Sequence, residues 1–193
     1  MNSQPNATLV SVLWPESRDS LLRLSAIVVL GTLLLTASAK IQVPFWPVPM
    51  TMQTFVALFL GAALGPRLGA LTVLLYLVQG ACGLPVFAGT PEKGLGLAYM
   101  AGPTGGFLIG FMAGAYVVGW LAERGWDRSV ARLFLAMFIG HIVIFAFGVA
   151  WLSQLVGIEK AWQLGVVPFY AATVFKTALG AFVVPALWQL ARR

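Results

Sequence analysis

Long apolar runs make up most of this chain, and short polar or proline-rich stretches separate them. A helix needs roughly 20 apolar residues to cross the hydrocarbon core of a bilayer. About six runs approach that length, at 21–39, 51–64, 68–83, 100–122, 130–155 and 166–190. They predict an all-α integral membrane protein, a bundle of about six transmembrane helices. Only Gly65-Pro66-Arg67 separates the second run from the third, which predicts a tight helical hairpin.

The segment 39–53 interrupts this pattern with three prolines and remains apolar. Prolines remove backbone donors and move the preceding residue out of the helical region. We therefore expect the chain to leave a helix near Lys40 and to enter the next near Met50. The segment between these two helices carries the aromatic residues Phe45 and Trp46. They predict that it is a flap over a membrane surface or over an apolar ligand.

Composition excludes a water-soluble domain. Of the 193 residues, 60% are hydrophobic and 9% are charged, whereas a soluble domain has about 25% charged residues. The formal net charge of +6 is, by itself, compatible with a nucleic-acid partner. However, the arginines are scattered rather than clustered in a patch, so we expect membrane lipid around the protein and no nucleic-acid partner. A single cysteine excludes an internal disulfide and a cysteine-based metal cage, and we expect no metal or cofactor.

The charges also predict an orientation. Every arginine falls in the terminal segments or in the loops at Arg67 and 123–132, on one side of a six-span bundle. The basic residues in the loops on the other side are all lysines, namely Lys40, Lys93 and Lys160. The positive-inside rule then predicts a multi-pass protein of the cell (plasma) membrane with cytoplasmic N- and C-termini and structured extracytoplasmic loops.

The same pattern divides the chain into two parts. Residues 1–20 are predicted to be a polar cytoplasmic tail, either frayed or interfacial. Residues 21–193 are predicted to form a single transmembrane domain that binds a substrate.

Lys176 is the most informative polar residue, because it lies inside the last apolar run. A lysine at the centre of a membrane helix costs about 2.5–3.5 kcal/mol on insertion scales. No acidic residue lies within any of the apolar runs. We therefore expect the ammonium of Lys176 to pair with an anion from outside the protein, most simply a ligand carboxylate. The alternative is that Lys176 extends to the lipid headgroups.

Four further polar residues of the apolar runs are candidates for contact with a ligand or with a neighbouring helix. Thr173 precedes Lys176 by three residues and shares its helix face, although its hydroxyl can also bond to its own helix backbone. Gln53 and Gln79 each need a hydrogen-bond partner, either a neighbouring helix or a polar ligand. His141, the only histidine, is expected to bond to a neighbouring helix, since one imidazole cannot build a metal site.

Glycine is concentrated in two places. It recurs at every fourth position of the fourth run, at Gly102, Gly106, Gly110 and Gly114, which predicts close helix packing. It also recurs in the loop 83–96, where the backbone can approach a ligand closely. This loop lacks the order of a phosphate-binding loop. The chain also has no nucleophile elbow and no paired intramembrane carboxylates, so we do not expect the protein to be an enzyme.

Three motifs, in order and spacing, resemble the BioY family: VPxTxQ at 48–53, GLPVFAG at 83–89 and GPTGGFxxGF at 102–111. BioY proteins are biotin-binding S components of energy-coupling factor (ECF) vitamin transporters. The resemblance implies a six-helix subunit that captures biotin from outside. It also implies two kinds of partner, a transmembrane coupling protein and two cytoplasmic ATPases. The family's last helix resembles PFLPGDxxK, and residues 168–176 keep its lysine as Lys176 but have Thr173 in place of its acid.

The resemblance and the residues together give a site hypothesis. Lys176 pairs with the biotin carboxylate, while Thr173 reads the ureido group together with an amide or the loop backbone. The predicted substrate-binding set is Lys176, Thr173, Gln53, Gln79, Phe45, Trp46, Phe87, Gly89, Thr90 and Tyr170. Three alternatives remain: a subunit for a related anionic vitamin or a biotin precursor, a stand-alone biotin facilitator, and a membrane scaffold without a ligand.

Overall fold

The computed structural model describes residues 8–13, 20–43, 48 and 50–191, and their fold is helical, as predicted. The helices are α1 (Leu9–Leu13), α2 (Leu21–Lys40), α3 (Gln53–Leu64), α4 (Pro66–Ala81), α5 (Gly96–Met100), α6 (Gly105–Ala122), α7 (Val130–Val156), α8 (Ile158–Gly165) and α9 (Tyr170–Ala191). Short 3-10 turns cover Trp126–Arg128 and Val167–Phe169. Two short strands, β1 (Gln42–Val43) and β2 (Met50–Thr51), pair in antiparallel orientation.

The predicted membrane segments correspond to helices of unequal length. By length and composition, α2, α6, α7 and the helical run Ile158–Leu190 are able to cross a membrane. The remaining two segments are α3, with 12 residues, and α4, with 16. The predicted count of about six is therefore made up, in the described part of the chain, of four long segments and one shorter hairpin.

The segment between α2 and α3 differs from its prediction in one respect. The chain leaves α2 at Lys40, as expected, but α3 begins at Gln53 and not near Met50. Met50 and Thr51 belong to β2, which pairs with β1. This pairing satisfies backbone groups that would otherwise bond within a helix. The predicted flap residues Phe45 and Trp46 lie outside the described residues.

The hairpin of α3 and α4 turns at one residue. Gly65 has φ +84°, a conformation that glycine adopts without steric cost, and Pro66 occupies the first position of α4, where its missing N–H costs nothing. The two helices then approach closely. A Cβ atom added at Gly69 would lie 2.8 Å from the Cα atom of Gly61, so the predicted tight hairpin is confirmed.

Glycines of α6 bring its backbone against α7. A Cβ atom at Gly110 would lie 2.9 Å from the Ile144 Cα atom, and one at Gly114 would lie 3.1 Å from the Gly140 carbonyl oxygen. The predicted packing role is confirmed for these positions. Gly102, in contrast, precedes α6 and lies in a turn.

The start of the chain contributes to the core. In α1, Leu9 is 2% exposed and belongs to the main hydrophobic cluster, and the helix packs against α3 and α9. The burial of Leu9 differs from the prediction that the whole of 1–20 is a frayed or interfacial tail. Packing of Leu9 in the core is favourable because it buries apolar surface. Residues 1–7 and 14–19 lie outside the described part of the chain.

Candidate functional site

Near the junction of β2 and α3, the bundle encloses a space of about 50 Å³, which we call the central cavity. Its aromatic wall consists of Tyr99, Phe107, Phe111, Phe145 and Phe169. Its polar wall consists of Thr51, Gln53, Thr54, Thr173 and Lys176. The other described lining residues are Val48, Ala88, Thr104, Leu108, Ile144 and Gly165.

Lys176 extends from α9 into the polar wall and is 6% exposed. Its Nζ atom donates hydrogen bonds to the Thr51 carbonyl oxygen at 2.6 Å and to Thr54 Oγ1 at 3.1 Å. Both acceptors are neutral, and no carboxylate belongs to the described lining. The amine therefore lies inside the bundle, beside a cavity, and does not extend to the surface as the alternative interpretation required.

Thr173 lies one turn before Lys176 on the same face of α9, as the spacing predicted, and is buried. Both residues reach the central cavity because the 3-10 turn Val167–Phe169 starts this segment and places Phe169 in the opposite wall. The polar pair of α9 thus faces an apolar aromatic surface.

Gln53, the first residue of α3, has a side-chain amide whose oxygen and nitrogen each bond to a neighbour. Its Oε1 atom accepts a hydrogen bond from Thr51 Oγ1 at 3.1 Å, and its Nε2 atom donates one to Tyr76 Oη at 2.6 Å. Tyr76 in turn donates to the Val86 carbonyl oxygen at 3.0 Å. The polar wall is therefore connected to the loop after α4. The positive end of the α3 dipole lies beside Lys176 and adds to its field.

Gln79 has a different position, although its sequence signal was the same. Its Nε2 atom donates to Thr32 Oγ1 at 3.3 Å, which joins α4 to α2. Gln79 does not belong to the described lining of the central cavity. Of the two interpretations left open above, the inter-helix hydrogen bond fits Gln79.

The loop after α4 presents a small residue to the cavity. Ala88 lines it, whereas Phe87, Gly89 and Thr90 are absent from its described lining. The Phe87 ring is 1% exposed and stacks on Tyr99 with centroids 5.0 Å apart. The predicted aromatic contact therefore lies behind the cavity, because the loop backbone turns Phe87 into the bundle.

Tyr170 borders a second space, which we call the lateral groove. This groove of about 530 Å³ runs along α7, α8 and α9 on the outer surface of the bundle and is almost entirely apolar. Phe145 and Thr173 border both the groove and the central cavity. Tyr170 borders the groove only, so the structure does not bring it together with the polar wall.

His141 joins two helices. Its Nδ1 atom lies 2.9 Å from the Met137 carbonyl oxygen on α7 and 3.2 Å from Thr177 Oγ1 on α9. The second contact is the inter-helix bond that we predicted.

Sequence reasoning missed all five residues of the aromatic wall and three threonines of the lining, Thr51, Thr54 and Thr104. Thr104, Phe107 and Phe111 all lie in the motif at 102–111, and that motif was the available signal. Tyr99 and Phe145 have none, because an aromatic residue in an apolar run looks the same whether it meets lipid, core or ligand.

Together these features define a helical membrane protein whose bundle contains a small cavity, lined by an aromatic wall and by the buried amine of Lys176. The BioY family model matches residues 8–193. The chain therefore belongs to the BioY family and is a multi-pass membrane protein, and the resemblance predicted from the three motifs is confirmed.

Individual relatives agree with this assignment. The chain is 38% identical to the probable biotin transporter BioY of Pyrococcus horikoshii, over 82% of this chain and 91% of that protein. It is 39% identical to the biotin transporter BioY of Thermotoga maritima, over 82% and 92%. These relatives are transporters, which agrees with the prediction that the chain is not an enzyme.

A solved structure has the same fold. The crystal structure of the S-component for biotin from an ECF-type ABC transporter aligns with a TM-score of 0.74 at 24% identity, and the match covers 87% of this chain and 92% of that chain. The prediction of an S-component-like helical fold is therefore confirmed.

Proposed function

We propose that this chain is a membrane substrate-capture subunit for biotin, an S component of an ECF-type transporter, and that biotin binds in the central cavity. One observation carries the proposal. Lys176 presents a buried ammonium that bonds, among the described residues, to neutral oxygens only, in a cavity that also has an aromatic wall. Family membership and the names of the relatives support biotin as the ligand.

The carboxylate of biotin fits the polar wall. An ammonium has three N–H donors, and two of those of Lys176 bond to described residues. A ligand carboxylate that takes the third donor, or replaces the Thr54 hydroxyl, gives the ammonium an acceptor of opposite charge, whereas its present acceptors are neutral. The low polarity of the aromatic wall further strengthens the attraction between the Lys176 ammonium and the ligand carboxylate.

The remainder of biotin fits the other lining residues. Its fused rings and aliphatic chain suit the aromatic wall, and its ureido group needs donors and acceptors. Thr173 and Gln53 supply them, with no carboxylate at position 173. The predicted flap residues Phe45 and Trp46, outside the described part, and the loop holding Phe87 are proposed to cover the ligand.

Binding requires the cavity to widen. Ligand pockets have volumes of about 300–1,000 Å³, and the central cavity has about 50 Å³. A vitamin-sized ligand must therefore displace part of the lining. Val48 and Ala88, which belong to loops, are the candidates to move, because helix packing fixes the aromatic residues of α6 and α7.

A double comparison tests the ion pair. We would measure the affinity of wild type and Lys176→Met for biotin and for biotinol, in which an alcohol replaces the carboxylate. We expect wild type to prefer biotin by on the order of 100-fold, as for a buried charge contact worth several kcal/mol. The variant should show almost no preference. Lys160→Met, on the exposed lysine of α8, is the matched control and should bind as wild type does. An unchanged preference in Lys176→Met excludes the proposed role.

A second candidate keeps the fold and changes the ligand. Thr173 in place of the family's acid favours a related anionic vitamin or a biotin precursor. Thermal-shift measurements with a vitamin panel separate the two: biotin should raise the melting temperature most. A larger shift with another anionic vitamin would reassign the ligand.

We also propose that the protein lies in the plasma membrane, with both termini in the cytoplasm, and works with a transmembrane coupling protein and two ATPases. The one-sided arginines support this orientation. Biotin uptake should require the coupling protein and ATP hydrolysis in a host without other biotin transporters. Uptake by the chain alone would instead favour a stand-alone facilitator.

A further inference from the structure

Lys40, the last residue of α2, bonds to a loop about 50 positions further along the chain. Its Nζ atom donates to the Thr90 carbonyl oxygen at 2.9 Å, to Thr90 Oγ1 at 3.1 Å and to the Phe87 carbonyl oxygen at 3.2 Å. An ammonium has three donors. Lys40 thus directs its whole hydrogen-bonding capacity to one short loop, although its side chain is exposed.

Two of the segments that line the central cavity outside the long helices lie next to Lys40 or bond to it. The first, the hairpin cover, comprises β1, β2 and Val48, and it provides Val48 and Thr51. The second, the loop cover, comprises residues 86–90 and provides Ala88. Lys40 directly precedes the hairpin cover, while its side chain holds the loop cover.

Other side chains attach the loop cover to the bundle. Tyr99 Oη donates to the Ala88 carbonyl oxygen at 2.8 Å, and Tyr76 Oη donates to the Val86 carbonyl oxygen at 3.0 Å. Burial raises the pKa of the Tyr99 phenol, which keeps it a donor.

The connections between the two covers are of two kinds. Tyr76 accepts a hydrogen bond from Gln53, whose Oε1 atom accepts one from Thr51, so an indirect route runs through side chains of the bundle. Lys40 supplies the direct connection in the described part of the chain, from the base of the hairpin cover to the loop cover.

We propose that Lys40 is a positioning residue for ligand binding that sets the separation of the two covers. This inference rests on the proposed function, namely that a ligand enters the central cavity. The cavity must widen to admit a ligand, and the two covers are its movable parts. When they separate, the Lys40 ammonium gives up its three loop oxygens, so these hydrogen bonds favour the closed arrangement of the covers. Because they hold the covers and not the packing between the long helices, Lys40 affects local opening more than the stability of the fold.

The test is the substitution Lys40→Met, which keeps the length of the side chain and removes its three donors. We expect the dissociation rate of biotin to rise about tenfold, equivalent to ~1.4 kcal/mol, with an unchanged melting temperature. Lys40→Arg retains a charged donor and should restore most of the slow dissociation. Lys160→Met, the same change at an exposed lysine away from both covers, should leave the dissociation rate unchanged.

A second measurement needs no ligand. Hydrogen exchange, read by mass spectrometry on the ligand-free protein, should be faster in Lys40→Met for peptides covering residues 86–93, where the Lys93 amide donates to the Gly89 carbonyl oxygen at 2.8 Å. Exchange equal to wild type overturns the proposal. Faster exchange with an unchanged dissociation rate also overturns it, since Lys40 would then shape the loop without affecting the ligand. If wild type fails to bind biotin, the proposed function is contradicted, while the exchange result still decides whether Lys40 fixes the loop cover.

Discussion

The two walls of the central cavity are held in place by different forces. The aromatic wall is largely carried by α6 and α7, whose backbones meet at Gly110 and Gly114 with no room for a side chain. The polar wall is held by side-chain hydrogen bonds, chiefly those of Lys176 and Gln53. Backbone packing cannot be exchanged for a ligand, whereas hydrogen bonds to neutral oxygens can.

This difference assigns a separate task to each wall. The aromatic wall fixes the shape of the site before a ligand arrives, because moving it requires two helices to separate. The polar wall supplies charge and donors that a ligand obtains by competing with Thr51 and Thr54. Substitutions that disrupt the aromatic wall should therefore prevent folding. Substitutions in the polar wall should weaken ligand binding and leave the fold intact.

The largest effect should follow from Gly110→Leu. The new side chain meets the backbone of Ile144, and overpacking of this kind costs about 3 kcal/mol or more when backbone must move. We expect little monodisperse protein in detergent, measured by size-exclusion chromatography. Ile109→Leu, at a neighbouring position that is exposed, serves as control. A well-folded Gly110→Leu variant would mean that the aromatic wall does not depend on backbone contact.

Next in size should be the effect of Thr173→Asp, which puts an acid beside Lys176. Hydrogen bonds to charged groups contribute about 1.5–3 kcal/mol, so an internal carboxylate should satisfy Lys176 and lower the preference for biotin over biotinol by at least tenfold. Thr173→Ser, which keeps the hydroxyl, should preserve that preference. Equal preferences in both variants would show that Lys176 does not select for the carboxylate.

A smaller loss is expected for Gln53→Leu. One ordinary hydrogen bond contributes about 1 kcal/mol, so the dissociation constant for biotin should rise about fivefold, as measured by isothermal titration calorimetry. Tyr76 also loses its contact with Gln53, and we expect the melting temperature to fall slightly. Unchanged affinity would remove Gln53 from the ligand contacts and leave it as a brace for Tyr76.

The smallest effect should come from Gln79→Leu, the matched change at an amide outside the central cavity. Hydrogen bonds between membrane helices average about 0.6 kcal/mol, so we expect a small decrease in thermal stability and the same affinity for biotin. A loss of affinity comparable to that of Gln53→Leu would mean that the contact between α2 and α4 is coupled to the site.

Local patterns predicted most of the fold. The apolar runs gave the helices to within a few residues, since length and hydropathy are properties of consecutive positions. Gly65-Pro66 predicted the hairpin because its backbone requirement is equally local. Lys176 was predicted as a buried cation from its unusual surroundings alone.

The remainder of the site depends on contacts between distant segments. Gln53 and Gln79 have the same chemistry and similar surroundings in sequence, yet only the position of Tyr76 and Thr32 in space distinguishes them. Phe87 was predicted as a ligand contact because aromatic rings suit an apolar ligand, but the direction of a loop side chain follows from its backbone, and Ala88 lines the cavity instead. Lys40 was predicted only as a helix end, since its acceptors lie in another loop.

The position of Thr173 and Phe145 between the central cavity and the lateral groove has a further consequence. Since each of these residues borders both spaces, we expect a vitamin bound in the cavity and an acyl chain in the groove to contact the same two side chains. The lipid or detergent around the protein should then change the affinity for the vitamin, and a dissociation constant measured in a micelle would describe the protein together with its surfactant.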